Sequence, residues 1–323
     1  MKRKLAIMAV LLCAAFGLLA ANGVVHSDKN PLQVALLHWY PANQAMTVFQ
    51  AGGYSIAAAF DGQSIWVANA GSNSNNIMKF RASDGQLLGT FAAGTEPSSI
   101  AFDGANMWVT NQGSNSVMKF RASDGTLIGS FSVGFPTLGV AFDGTNIWVA
   151  DHSSSGFLTK IQAKTGTVLN NVAVGAYPTG VAFDGTHIWV ANASSNNVMK
   201  VNEAGTILGT FAVGTSPAYL AFDGTDMWVT NQGSNNVTKL SLSGTVLGTF
   251  AVGTEPLGIA FDGAHMWVAN HTANTVTELQ ASTGDVLGTF AVGSDPWGVA
   301  FDGAHIWVAN QYFCCAAGFL SKL

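Results

Sequence analysis

The sequence predicts an all-β fold, a seven-bladed β-propeller of four-stranded blades, and three observations carry that prediction. First, Phe-Asp-Gly recurs with its aspartate at Asp61, Asp103, Asp143, Asp184, Asp223, Asp262 and Asp302. A tryptophan follows five residues after each one: Trp66, Trp108, Trp148, Trp189, Trp228, Trp267 and Trp307. Second, these tryptophans are 39 to 42 residues apart, room for four short strands and their turns. Each unit is rich in glycine and β-branched residues, and none sustains the apolar spacing of a helix. Third, the copies are out of phase with the chain: an outer-type strand, 47–51, precedes the first Phe-Asp-Gly, and the last unit stops at its third strand, 318–323. Pairing those two strands closes the ring and removes both exposed edges.

The elements follow in chain order. Lys2, Arg3 and Lys4, the apolar run 5–21, and the small residues Ala21 and Gly23 form an export signal over residues 1–23, implying a periplasmic or extracellular protein. An uncut anchor is the alternative, and it would be the only route to a membrane. Leu12 before Cys13 does not suit lipidation. Residues 24–44 form a linker, whose His38-Trp39-Tyr40-Pro41 packs on the outside or serves as a tether, and 45–323 form the propeller.

The unit 217–253 shows how the strands arise. Tyr219 to Phe222 is an apolar inner strand ended by the turn Asp223-Gly224, and Met227 to Thr230 returns as the second strand. A polar loop, 231–236, leads to the third strand from Val237 to Leu240, and Ser243-Gly244 turns the chain into Val246 to Val252. Gly253-Thr254-Glu255-Pro256 then crosses to the next blade.

Composition narrows the function. A hydrophobic content of 48% excludes a disordered chain, and the balance of -5 disfavours nucleic acid and anionic lipid. Without the three N-terminal cations, 10 basic residues face 18 acidic ones. Each recurring Trp is expected to fill the wedge between neighbouring blades, and each recurring Asp to accept turn amides. Asn69, Asn111, Asn192, Asn231, Asn270 and Asn310 end the second strands and hold the loops beyond, with Asp151 doing the same job in the third copy. His187, His265 and His305 fall in different blades, so no shared metal and no cofactor is expected. Cys314 and Cys315 are adjacent, and after export they can form a vicinal disulfide but no long-range staple.

The run from Trp228 through Val229-Thr230-Asn231-Gln232-Gly233-Ser234-Asn235-Asn236-Val237-Thr238 to Lys239, with Gly253-Thr254-Glu255-Pro256 and the Asp-Gly turn, resembles the YVTN-type β-propeller repeat, including YncE-like secreted proteins. The resemblance covers about residues 45–323, with Trp in place of the usual first Tyr and Ala in place of Thr in several copies. It implies the fold and, more loosely, a binding or interaction module rather than an enzyme. Some relatives are said to bind single-stranded DNA, which suits this acidic chain poorly. Streptogramin lyases are similar seven-bladed proteins with Trp-Phe-Thr-Glu repeats, making a C–O lyase the enzymatic alternative, with a quinoprotein-like enzyme as a more distant analogy. Here the glutamate position is Asn or Asp in every copy. His271 and Glu278 are the nearest imitation of the lyase pair, with Glu278 expected to face outward.

A propeller gathers its crossing loops, and the loops between second and third strands, around one mouth. Tyr54, Glu96, Phe135, Tyr177 and Glu255 fall at or near the crossing, Tyr219 and Trp297 just beyond it, and His152, His271 and Tyr312 in the companion loops. Such a rim suits a small ligand, glycan or peptide on a monomer. The competing reading is that these are permissive loop positions. Trp297→Ala is expected to weaken binding and leave unfolding nearly unchanged.

Overall fold

Each Phe-Asp-Gly reverses the chain because its aspartate organises the turn. Asp223 Oδ1 accepts the amides of Thr225 at 2.8 Å and Asp226 at 2.7 Å, while Gly224 holds φ at +90°. A computed structural model describes residues 46–71, 74–311 and 318–323. The N-terminal signal and linker, Tyr312, Cys314 and Cys315 lie outside these residues. The propeller belongs to one compact unit, Met46–Leu323.

In the fifth blade the antiparallel strands are Pro217–Phe222, Asp226–Asn231, Asn236–Ser241 and Val246–Ala251. A single 3-10 turn, Gln232–Ser234, bridges the second strand to the third. The pattern gives seven four-stranded sheets, which we number by blade from 55–92 (blade 1) to 296–322 (blade 7). Blade 7 takes its outer strand from the other end of the chain. Thr47–Gln50 pairs antiparallel with Phe319–Lys322, with Val48 opposite Ser321. Ala51 N donates to Gly318 O at 2.9 Å, extending the pairing. The inner strands also meet: a Cβ on Gly298 would lie 2.8 Å from Ala57 Cα, which requires glycine there. The predicted ring and its closure both hold.

The core lies in the wedges between blades. Trp66 packs with Ile100, Met107 and Val109 of the next blade, and Trp307 with Ile65 and Val67, so the last junction resembles the first. Removing one such indole from water is worth about 4 to 6 kcal/mol. Outside blade 3, where Val172 packs with Trp148, a fourth-strand phenylalanine supports the indole, as in Trp108–Phe131 at 5.6 Å. At the seventh junction the supporting ring is Phe49, 5.5 Å from Trp307, supplied by the N-terminal strand. Gly85 lies against Phe49, and a Cβ would be only 2.0 Å from the ring.

One recurring element was not legible in the sequence. Every Trp indole N–H of the seven units donates to the aspartate of its own blade, at 2.7 to 2.8 Å. In six blades a third-strand lysine lies over that indole at 4.9 to 5.1 Å and donates to a carbonyl of the following blade. Lys322 makes this link from blade 7 to Ala82 of blade 1 at 2.9 Å. Blade 6 has Glu278 instead, directly opposite Trp267. The expectation that Glu278 faces outward fails, because this register lays the side chain along the junction and leaves it 17% exposed.

Candidate functional site: the mouth of the propeller

The crossing loops share a backbone conformation. Tyr54, Glu96, Tyr177, Ser216, Glu255 and Asp295, just before the inner strands, have φ between +43° and +53°. Left-handed backbone at non-glycine residues needs external support. The preceding blade supplies it: Asn75 Oδ1 accepts the Glu96 amide at 3.0 Å, and Asn235 Oδ1 accepts the Glu255 amide at 2.8 Å. On the other side, Gln112 N donates to Glu96 O at 2.8 Å, joining crossing loop to companion loop. The conformation is a property of the repeat, and it aims the crossing side chains toward the same end of the ring. Blade 3 differs: its crossing has the usual length, but its proline, Pro136, comes one position earlier and Gly134 carries the positive φ, at +86°.

The predicted residues divide into three groups. Tyr54, Glu96, Tyr219 and Trp297 line one cavity of about 500 Å³. His271 reaches its edge, its ring 5.2 Å from Trp297 in edge-on contact. Phe135, His152 and Tyr177 form a separate aromatic sector: Phe135 stacks on Phe157 at 5.6 Å, and His152 meets Tyr177 edge-on at 5.1 Å. Burial lowers the His152 pKa, opposed by the Pro178 carbonyl beside its Nδ1. Glu255 is engaged by the Thr272 hydroxyl and is not in the cavity lining. The expected single rim of acidic and aromatic groups is divided between a cavity lined from blades 1, 2, 3, 5 and 7 and aromatic pairs at blades 3 and 4. His271 and Glu278 do not form a pair, since Glu278 instead lies 3.4 Å from His265.

The cavity floor rests on a hydrogen bond between distant blades. Trp297 Nε1 donates to Tyr219 Oη at 2.8 Å, joining residues 78 apart. Burial pushes the Tyr219 phenol pKa up, and the Trp297 donor opposes it. Trp297 also packs against the core around Ile56, so Trp297→Ala removes core packing together with any binding contact. Ile56, Ala70 and Leu138 add apolar wall, while Ser98, Thr95, Asn75, Gln112 and Gln311 supply polar edges. The sequence reading missed Ile56, Ser98 and Leu138. They occupy the second inner-strand position in blades 1, 2 and 3, where Trp297 stands in blade 7, and that alignment was the available signal. Among the described residues, Glu96 is the sole carboxylate of the lining, and no lysine or arginine joins it. The arrangement can stack one apolar face, hydrogen-bond a polar edge and tolerate one positive charge.

Asp151 is a buried exception to the asparagine series. Thr159 Oγ1 donates to its Oδ2 at 2.5 Å, while its Oδ1 has no partner. Burial raises its pKa to about 7, only partly offset by Thr159. Asn111 and Asn270, by contrast, accept the amides of Gly94 and Gly253 at 3.0 Å. Oδ1 is also unpartnered in Asn192, Asn231 and Asn310, so Asp151 departs from the series in carrying a titratable carboxyl and not in that open oxygen. His187, His265 and His305 each stand beside the aspartate of their own blade, at 3.6, 3.1 and 3.4 Å. Among the described residues no group of three or more His, Cys, Asp or Glu is arranged to hold a metal, and no helix is long and apolar enough to cross a membrane.

No protein-family profile matches the chain, and no curated protein matches it. Solved structures do match in fold. A streptogramin B lyase superposes with a TM-score of 0.73 at 15% identity, over 86% of this chain and 97% of that one. The hydrazine synthase of Kuenenia stuttgartiensis superposes with a TM-score of 0.69 at 19% identity, over 83% of this chain and 96% of that one. At these identities the likeness establishes architecture: the chain is a seven-bladed β-propeller repeat protein.

Proposed function

We propose that this propeller is an exported binding module of the YVTN-type, YncE-like kind, released from a signal over residues 1–23 and carrying a linker over 24–44. Its mouth takes a small, neutral or singly cationic molecule with one apolar face and one hydroxyl-rich edge, such as a glycoside. The observation that carries this reading is the cavity of about 500 Å³, walled by Trp297, Tyr219, Ile56 and Leu138 and edged by polar side chains with a single carboxylate. Nonpolar wall rewards burial of a sugar or aryl face, and the fixed amides and hydroxyls discriminate by hydrogen bonding.

Ligand-observed NMR against aryl glycosides and short oligosaccharides tests it. A binder should lose detectable affinity in Leu138→Trp, which fills the cavity without deleting core contacts. In Trp297→Phe, which keeps a ring and removes the indole N–H, affinity should fall about threefold to tenfold. Equal binding to wild type and Leu138→Trp would refute the mouth as the site. A parallel incubation with a cyclic depsipeptide lactone and divalent metal distinguishes the lyase alternative, because ring opening would replace the binding reading with a catalytic one.

A further inference from the structure

Blade 6 departs from the other six at the end of the blade remote from the crossing loops. In blades 1 to 5 and 7 the place over the Trp indole is filled by a lysine ammonium. In four of these it also lies 3.6 to 4.0 Å from Oδ2 of the Phe-Asp-Gly aspartate. The repeat thus shows what an indole face and that carboxylate oxygen receive. Blade 6 keeps both groups, as Trp267 and Asp262, with the same indole-to-carboxylate hydrogen bond at 2.8 Å. It lacks the ammonium and places a second carboxylate, Glu278, opposite the indole.

The place is also open to solvent. Six of the repeat tryptophans are 0% exposed, whereas Trp267 is partly exposed. The Asp262 side chain is 16% exposed, against 1% to 7% for Asp61, Asp103, Asp184, Asp223 and Asp302. Among the described residues, His265 is the one basic group within ion-pair distance of either carboxylate. Its Nδ1 lies 3.1 Å from Asp262 Oδ2 and 3.4 Å from Glu278 Oε1, bridging the two carboxylates, whereas His187 and His305 stand beside the aspartate alone in blades 4 and 7, where Lys200 and Lys322 cover the indoles; among the described residues no ammonium covers Trp267. Burial and the neighbouring Asp262 hold the Glu278 carboxyl above its ordinary pKa, with His265 opposing.

We propose that the junction between blades 6 and 7 binds a primary alkylammonium ion on the face of Trp267, against the carboxylates of Asp262 and Glu278 that His265 bridges, where the other junctions carry a lysine. The cation gains the indole face and two charge-assisted hydrogen bonds. This site is independent of the mouth and does not rest on its function.

Two-dimensional NMR of the indole N–H groups tests the assignment, with n-butylammonium chloride as probe, sodium chloride as the ionic control, and Trp267→Phe to identify the resonance. The Trp267 signal should move saturably with the amine, with the other indoles following the sodium chloride control. Glu278→Gln should raise the half-saturating concentration about tenfold. Glu278→Lys supplies its own ammonium and should abolish the response, and the lysines of the other blades show that the position accepts it. Should that variant not fold, the Gln variant carries the comparison. No saturable shift of the Trp267 signal, an unchanged response in Glu278→Gln or in folded Glu278→Lys, or a response to calcium chloride alone would overturn the proposal.

Discussion

Asp151 concentrates the consequences of one atom's replacement. An asparagine there would present an amide, but the carboxyl is buried with one oxygen unpartnered. Its pKa is about 7 in the fold against 3.8 for an ordinary aspartate, so between those values the native state holds a proton that the unfolded chain has released. Stability therefore falls as pH rises from about 4 to 7. The full difference is on the order of 4 kcal/mol. Asp151→Asn should leave the melting temperature nearly unchanged at pH 3 and raise it at pH 8, by a few kcal/mol in stability. Thermal unfolding at the two pH values reads this directly, and an equal shift at both would remove the burial argument. The Phe-Asp-Gly aspartates behave oppositely. Although burial alone would raise them, hydrogen bonds from Trp and turn amides hold Asp103, Asp143, Asp184, Asp262 and Asp302 below the usual value, so their contribution is lost as pH falls through their folded pKa range below 3.8.

Within the blade, the sequence showed strands well and side-chain partnerships less well. Asp-Gly turns, alternating Met-Trp-Val-Thr segments and a fixed period identify the strands locally, since each signal depends on a few neighbouring residues. The lysine over each indole depends on cross-strand register and on a carbonyl about 42 residues away, which no local pattern displays. Likewise Tyr219 and Trp297 appeared as separate loop aromatics, and only the ring brings them within a hydrogen bond. The closing strand offers the clearest test at this scale. Phe49 supports Trp307 as Phe131 supports Trp108, so Phe49→Ala and Phe131→Ala should each cost about 1 to 3 kcal/mol in urea unfolding. A neutral Phe49→Ala beside a costly Phe131→Ala would mean that residues 47–50 do not serve as the outer strand of blade 7.

Across the whole molecule, seven nearly equivalent units make a scaffold on which departures carry information. Number and closure of blades were readable because repetition multiplies a weak signal. The mouth was only partly readable: the crossing loops recur at the same end of each blade, but blade 3 shifts its proline by one position, and aromatic side chains settle on whichever neighbours they can bury against. Thus Phe135 and Tyr177 leave the cavity, while Ile56, Ser98 and Leu138 enter it. Fold likeness to a lyase and a hydrazine synthase reflects the scaffold, and on the proposed reading the lining residues of the mouth set what is bound. The central claim is that recognition occurs in that cavity. A crystal structure of the protein soaked with an aryl glycoside confirmed by NMR tests it most directly. The account predicts the aryl or sugar face against Trp297 and Tyr219 with hydroxyls on the polar edge, and density for the glycoside only on the outer faces of the blades would contradict it.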